Sequence, residues 1–268
     1  MKFKLLLVFF TLTNVLSAQP KILTWNIENL GQSKSDSEIN FIANTVKAYD
    51  IVALQEVVAG EGGAQAVAKL ADELNRKGAQ WDYVISDPTS SSAYKTERYA
   101  YLWKTAQVRL VNKPWLEKQY GLLIDREPYY ATFEYQKKQF TLANFHAITQ
   151  SKQPETEIKY LKNLPEQYPN LKIIFLGDFN CPQSHTVFNP LKKMGYLPAF
   201  EGQKTSLKKS CTYGNCLSKE FDNVWVNQHH FRIKQPTALH FYKYCTSFSQ
   251  ALKISDHLPL AIVLEFAY

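Results

Sequence analysis

Carboxylates, amides and two imidazoles are gathered in five short polar clusters: Trp25-Asn26-Ile27, Gln55-Glu56, Asn144-Phe145-His146, Gly177-Asp178-Phe179-Asn180 and Ser255-Asp256-His257. Oxygen ligands of these types hold a hard divalent cation such as Mg²⁺ or Ca²⁺, and imidazole exchanges protons near neutral pH. The inventory therefore suits metal-assisted chemistry with histidine acid/base partners.

Each cluster borders an apolar run that reads as a strand: Lys21 to Trp25, Asp50 to Leu54, Phe140 to Ala143, Lys172 to Leu176 and Leu260 to Leu264. These runs are short and rich in β-branched or large apolar residues, as buried strands are. The polar residues follow the first four strands and precede the fifth, so strand ends can bring distant positions to one rim. A sixth run, Phe221 to Val226, carries Asp222 among apolar residues, and a buried carboxylate there requires a histidine or a metal as partner. Any one such residue on its own reads as a turn former or helix cap. Five clusters of one chemical type do not.

Helices are predicted from Ser35 or Asp36 to about Tyr49, with Ile39, Ile42, Ala43 and Val46 as the apolar stripe, and from Ala64 to Lys77 ahead of Gly78. A third is predicted over Glu155 to Gln167, interrupted near Pro165. Strands alternate with helices early, and hairpin-like neighbours dominate the middle. The expected fold is therefore α/β (α+β): two mixed β-sheets face to face, with helices on the outer faces.

With 268 residues and 45% apolar side chains the chain can bury a full core, and no repeat or linker divides it, so residues 19–268 are read as one domain. Residues 1–18 read as a signal peptide: Lys2 and Lys4 precede the apolar Leu5 to Leu12, and Leu16-Ser17-Ala18 ends on a small residue. The mature chain is expected to be secreted, extracellular or periplasmic, without membrane attachment. Export favours disulfides, so Cys181, Cys211, Cys216 and Cys245 are expected to form two, with three pairings open. The lack of a Cys-x-x-Cys pair argues against zinc. A net charge of +7 would draw a polyanion such as DNA, although pairs such as Lys137-Lys138 and Lys208-Lys209 are by base rate solvated surface.

Taken in order, with Tyr94-Lys95-Thr96-Glu97-Arg98-Tyr99 and Arg126-Glu127-Pro128 between them, the clusters resemble the endonuclease/exonuclease/phosphatase superfamily, best its secreted deoxyribonuclease I type, from about Lys21 to Leu264. The resemblance implies a four-layer sandwich and a metal-dependent endonuclease that hydrolyses DNA phosphodiesters with low sequence specificity. It implies Mg²⁺ or Mn²⁺ at the reaction, with Ca²⁺ in a structural role. Asn26 and Glu56 match metal ligands, with Asp178 or Asp256 near the same ion. His146 and His257 match the histidine pair flanking the scissile phosphate, and which is base and which is acid stays open. Glu97 and Asp222 match the carboxylates that orient them, and Asn180 a donor to phosphate or nucleophile. Arg126 matches a phosphate grip, with Tyr94 and Arg98 as further substrate contacts. The resemblance also implies a Cys181–Cys216 disulfide, leaving Cys211 with Cys245. Double-stranded DNA acted on by a monomer is the expected pairing. Alternatives on the same fold are a sphingomyelinase-like or inositol-phosphate phosphodiesterase or phosphatase, and a nuclease-type toxin subunit.

Overall fold

The computed structural model describes residues 19–91 and 96–267, so the leader expected over residues 1–18 and the expected substrate contact Tyr94 lie outside the described residues. Two large sheets form the centre. One runs, in spatial order, Phe231–Ala238, Leu260–Phe266, Lys21–Leu30, Ile51–Val58, Glu97–Lys104 and Trp81–Ile85. The other runs Tyr196–Pro198, Asp222–Asn227, Ile173–Asp178, Lys138–His146, Tyr129–Tyr135 and Val108–Leu110, with Trp115–Leu116 also paired to Tyr129–Tyr135. Each sheet is antiparallel except for one pair near its middle. Lys21–Leu30 runs parallel to Ile51–Val58, and Lys138–His146 runs parallel to Ile173–Asp178.

The inner faces meet in one apolar core. Ile22, Ile51, Ala53 and Tyr101 of the first sheet pack with Phe133, Leu142, Leu176 and Val224 of the second. The outer face of the first sheet buries the stripes of two helices, Asp36–Val46 and Glu61–Asn75, through Ile39, Ile42, Val67 and Leu70. Shorter helical pieces, Glu155–Ile158, Leu164–Gln167 and Asn189–Lys193, cover the second sheet through Ile158, Leu164 and Leu191. Each fully buried aliphatic side chain contributes about 1.5–3 kcal/mol. The result is the expected four-layer arrangement of two mixed sheets with helices outside.

Local signals explain the ends of the elements. Ser35 closes a capping box, its hydroxyl accepting from the Glu38 amide while the Glu38 carboxylate accepts from the Ser35 amide. The helix expected to be interrupted near Pro165 breaks earlier instead, at a 3₁₀ turn over Leu161–Asn163. Pro165 sits in the first turn of Leu164–Gln167, where its missing N–H leaves nothing unpaired.

Polar bonds cross the apolar interface and fix one sheet on the other. Gln55 donates to Asn144 at 2.5 Å, and Asn144 donates to the Leu54 carbonyl at 3.0 Å. The Tyr101 hydroxyl lies 2.8 Å from the Tyr129 carbonyl and 3.0 Å from that of Leu142. Gln55 and Asn144 are thus sheet-to-sheet ties.

The expected disulfides are not the ones formed. Cys211 and Cys216 pair with each other across the hairpin Leu207–Thr212 and Asn215–Leu217, five residues apart. Cys181 is buried in the core outside the second sheet, whereas Cys245 packs outside the first. Because Cys211 and Cys216 bond to each other, Cys181 and Cys245 lose the partners implied by resemblance, and they sit too far apart, in opposite layers, to pair instead. Thiol titration of the denatured protein should find two free thiols, and a peptide map should join Cys211 to Cys216; a Cys181–Cys216 peptide would contradict this arrangement.

Candidate active site

Strand register assembles half of the site. His146 is the parallel partner of Asp178, and Asp178 is the antiparallel partner of Asp222, so the three residues form a row across adjacent strands. Equivalent register in a sheet places side chains on the same face. Gly177 permits the close approach of the neighbouring strand: its φ is +131°, and a Cβ there would lie 2.0 Å from the Phe145 carbonyl oxygen. Gly177→Ala is therefore expected to destabilise the fold by more than about 2 kcal/mol, read as a lowered melting temperature.

The other half comes from the matching rim of the first sheet. The pairing of Lys21–Leu30 with Ile51–Val58 is regular to Asn26 and then slips, and that of Ile51–Val58 with Glu97–Lys104 slips between Leu54 and Val57. At these irregularities Glu28, Asn29 and Glu56 adopt left-handed φ values of 45°, 58° and 59°. Bulges of this kind re-aim side chains, and Glu56 escapes the alternation that would bury it. His257 arrives from the loop ahead of Leu260–Phe266, where the Ser255 hydroxyl donates to the Asn26 carbonyl at 2.6 Å and accepts from the His257 amide at 2.9 Å.

The two histidines are arranged alike. His146 Nδ1 lies 3.0 Å from both carboxylate oxygens of Glu97, and His257 Nδ1 lies 2.7 Å from Asp222 Oδ2. Their Nε2 atoms approach Asp178 Oδ2 from two directions, at 3.5 Å for His146 and 3.6 Å for His257. Asn26 Nδ2 donates to Glu56 at 2.9 Å and to Asp178 at 3.1 Å. Asn180 caps the group, its amide donating to Asp178 Oδ1 at 2.8 Å and its side chain to the Ala147 carbonyl at 3.0 Å. Asp256 reaches the rim with its side chain 46% exposed, 3.8 Å from His257 Nε2.

Electrostatics separate the two imidazoles. Burial and the neighbouring Arg126 guanidinium push His146 down to about 4, so its Nε2 is an unprotonated acceptor at neutral pH. Burial also opposes charge on His257, but Asp222 and Asp178 together outweigh it and hold the imidazole protonated well above its ordinary range. Burial pushes Glu97 up to about 7 in spite of Arg126, and raises Asp178 against the pull of His257.

Two expected substrate contacts are turned inward. Arg126, expected to grip phosphate, is buried, donating to the His146 carbonyl at 3.1 Å and to that of Ala147 while its Nη1 lies 3.4 Å from Glu97. Arg98 donates to the carbonyls of Ala59 at 2.8 Å and Ser86 at 2.7 Å. Both guanidiniums are committed to backbone carbonyls of the protein itself, and so they position the site. Tyr99, named only as part of a motif, accepts the His146 amide at 3.1 Å and lies 3.2 Å from the Arg126 carbonyl. Glu28 went unremarked because its placement depends on a bulge. Its carboxyl is raised by burial and by Asp256.

A divalent cation fits the donor set. Among the described residues Glu56 and Asp178 form ion pairs with histidines only, and both carboxylates converge on the single amide of Asn26. Such an excess of anionic oxygen is what a hard cation offsets. Asn26, Glu56, Asp178 and Asp256 are the residues that would hold it. Asp178, Asp222 and His257 also lie close enough to share an ion, but Asp222 is committed to His257 Nδ1.

The fold and this cluster of residues together define an α/β-sandwich hydrolase. The chain belongs to the Endonuclease/Exonuclease/phosphatase family, whose sequence pattern matches residues 23–257. It is 26% identical over 287 residues to deoxyribonuclease gamma of Homo sapiens, covering 97% of this chain and 90% of that protein. It is 27% identical to a deoxyribonuclease of Thioalkalivibrio sp. (strain K90mix), covering 84% of this chain but 63% of that protein's length. An endonuclease/exonuclease/phosphatase family protein from Bacteroides thetaiotaomicron shares the fold with a TM-score of 0.68 at 18% identity, covering 94% of this chain and 99% of that one.

Proposed function

We propose that this protein is a secreted, divalent-metal-dependent endonuclease of the deoxyribonuclease I type, acting as a monomer on double-stranded DNA with low sequence specificity. The observation that carries the reading is the pair of carboxylate-held histidines whose Nε2 atoms flank Asp178 at 3.5 and 3.6 Å. Relatives named deoxyribonuclease support DNA as the substrate, and the basic, leader-like residues 1–18 support export.

A phosphodiester resists attack because its oxygens repel the nucleophile and the transition state gathers further negative charge. Neutral His146, with Nδ1–H donated to Glu97, presents Nε2 as the base that takes the proton from water. Protonated His257, held by Asp222, donates its Nε2 proton to the leaving 3′-oxygen. Asn180 holds Asp178 Oδ1 through its backbone amide, which leaves Oδ2 between the two histidines. A bound cation, Mg²⁺ or Mn²⁺ by the resemblance, would neutralise charge on the phosphate. Ca²⁺ would serve only to stabilise structure.

Nicking of supercoiled plasmid is the direct test. Cleavage should stop when EDTA is added and return with excess Mg²⁺; a metal-replete protein that leaves plasmid intact defeats the reading. The rate should rise with pH as His146 loses its proton at about 4, and fall at alkaline pH as His257 loses its own. Stability carries a related signature. His257 binds its proton more tightly in the folded than in the unfolded chain, where 6.5 is the reference. The His257–Asp222 pair therefore stabilises fully below about pH 6.5, and that contribution is lost as pH climbs through the raised folded value.

A further inference from the structure

We propose that the disulfide-closed hairpin of residues 207–217 is an arm that grips the nucleic acid beside the scissile phosphate, with Lys208 and Lys209 on backbone phosphates and Tyr213 against a base. This rests on the nuclease reading above. The base of the hairpin is wired into the catalytic residues. Ser206 forms a β-bridge with His257, the Leu207 amide donates to the Asp256 carbonyl at 2.6 Å, and the Thr205 hydroxyl accepts from the Asp222 amide at 3.0 Å. Leu207 is buried in the core, so the root is rigid.

The tip has the opposite character. Tyr213 and Gly214 form the two-residue turn with φ values of 50° and 78°. Positive φ at both positions favours Asn-Gly or Gly-Gly, and a bulky aromatic at the first is strained. The Tyr213 ring is moreover fully exposed, so neither turn chemistry nor burial accounts for it. Strain without a folding reason points to a contact made with a ligand. Lys208 and Lys209 precede the turn, Lys219 follows it, and the one acid in this stretch is Glu220. The partner this chemistry fits is a polyanion with stackable rings.

A two-stranded hairpin is marginally stable in water, and residues 208–216 bury little besides Cys216. The Cys211–Cys216 bond holds the arm in one shape before the ligand arrives, which lowers the ordering cost of binding. From Leu207 to the turn, six residues at about 3.3 Å each extend roughly 20 Å. That reach covers about six base-pair steps of 3.4 Å.

Steady-state kinetics on duplex DNA and on a small aryl phosphodiester, under the same Mg²⁺, separate the arm from the chemistry. Tyr213→Ala should raise KM for DNA about fivefold. The Lys208→Ala/Lys209→Ala double variant should lower the ratio of DNA to small-diester kcat/KM about tenfold, and flatten the slope of log kcat/KM against log salt by about two. A mild reductant should raise the parent's KM for DNA in the same direction. Tyr213 and Lys209 are exposed and Lys208 is only half-buried, so none of these changes removes core packing. If the parent cuts DNA while both variants keep its KM and salt slope, the arm is disproved and the nuclease reading survives. A parent that hydrolyses the small diester but never DNA removes both.

Discussion

His146→Ala is expected to reduce turnover of plasmid DNA by about 10²- to 10⁴-fold with Mg²⁺ saturating. His146 Nε2 is the unprotonated nitrogen of the site at neutral pH, and its ring is fixed by Glu97 through two 3.0 Å contacts. Without the ring, water must give up its proton unaided beside a negatively charged phosphate. Of the residues that would hold the cation, Asp178 and Glu56 approach His146 Nε2 only at 3.5 and 3.8 Å and keep their carboxylates in the variant, so cation affinity, followed by titration calorimetry, should fall far less than turnover. Partial rescue by added imidazole would separate lost chemistry from altered structure. Turnover within tenfold of the parent would show that His146 is not the base.

Arg126→Ala should cost roughly 3–5 kcal/mol of folding stability, the range found when one partner of a buried ion pair is removed. The substitution strands Glu97, whose side chain is 8% exposed, and removes the donors to the His146 and Ala147 carbonyls. Glu97 would then be driven further toward its neutral form and would orient His146 less firmly, so kcat should fall. Arg126→Lys should restore little, because a single ammonium cannot reproduce a planar fork that serves three acceptors. Chemical denaturation and DNA kinetics together decide the point. A variant with parental stability and a raised KM for DNA would return Arg126 to the phosphate-gripping role implied by resemblance.

The framework was readable in the chain because burial patterns are local. The runs beginning at Lys21, Ile173 and Leu260 are almost unbroken apolar stretches, and they became central strands. Ser35 or Asp36 was legible as a helix start, and the structure makes Ser35 the cap. The polar clusters were less simply placed, since Asn26, Glu56, His146 and Asp178 lie within their strands and not after them. No sequence pattern announces a bulge at Glu56, because register slips are set by the partner strand. For the same reason Gln55 and Asn144 looked like site residues although they tie sheet to sheet.

Residue types alone determined the chemistry available to this protein: oxygen donors for a hard cation, two imidazoles, and carboxylates to hold them. They determined also that paired strands would present those groups on a rim, because apolar runs bordered by polar residues are encoded residue by residue. Only the tertiary structure decided which imidazole stays neutral, since Arg126 and burial act on His146 while Asp222 and Asp178 act on His257. It alone turned Arg126 inward and joined Cys211 to Cys216. Proton affinity, guanidinium direction and cysteine pairing depend on distances of a few ångströms between positions far apart in the chain, and those distances exist only once both sheets have packed.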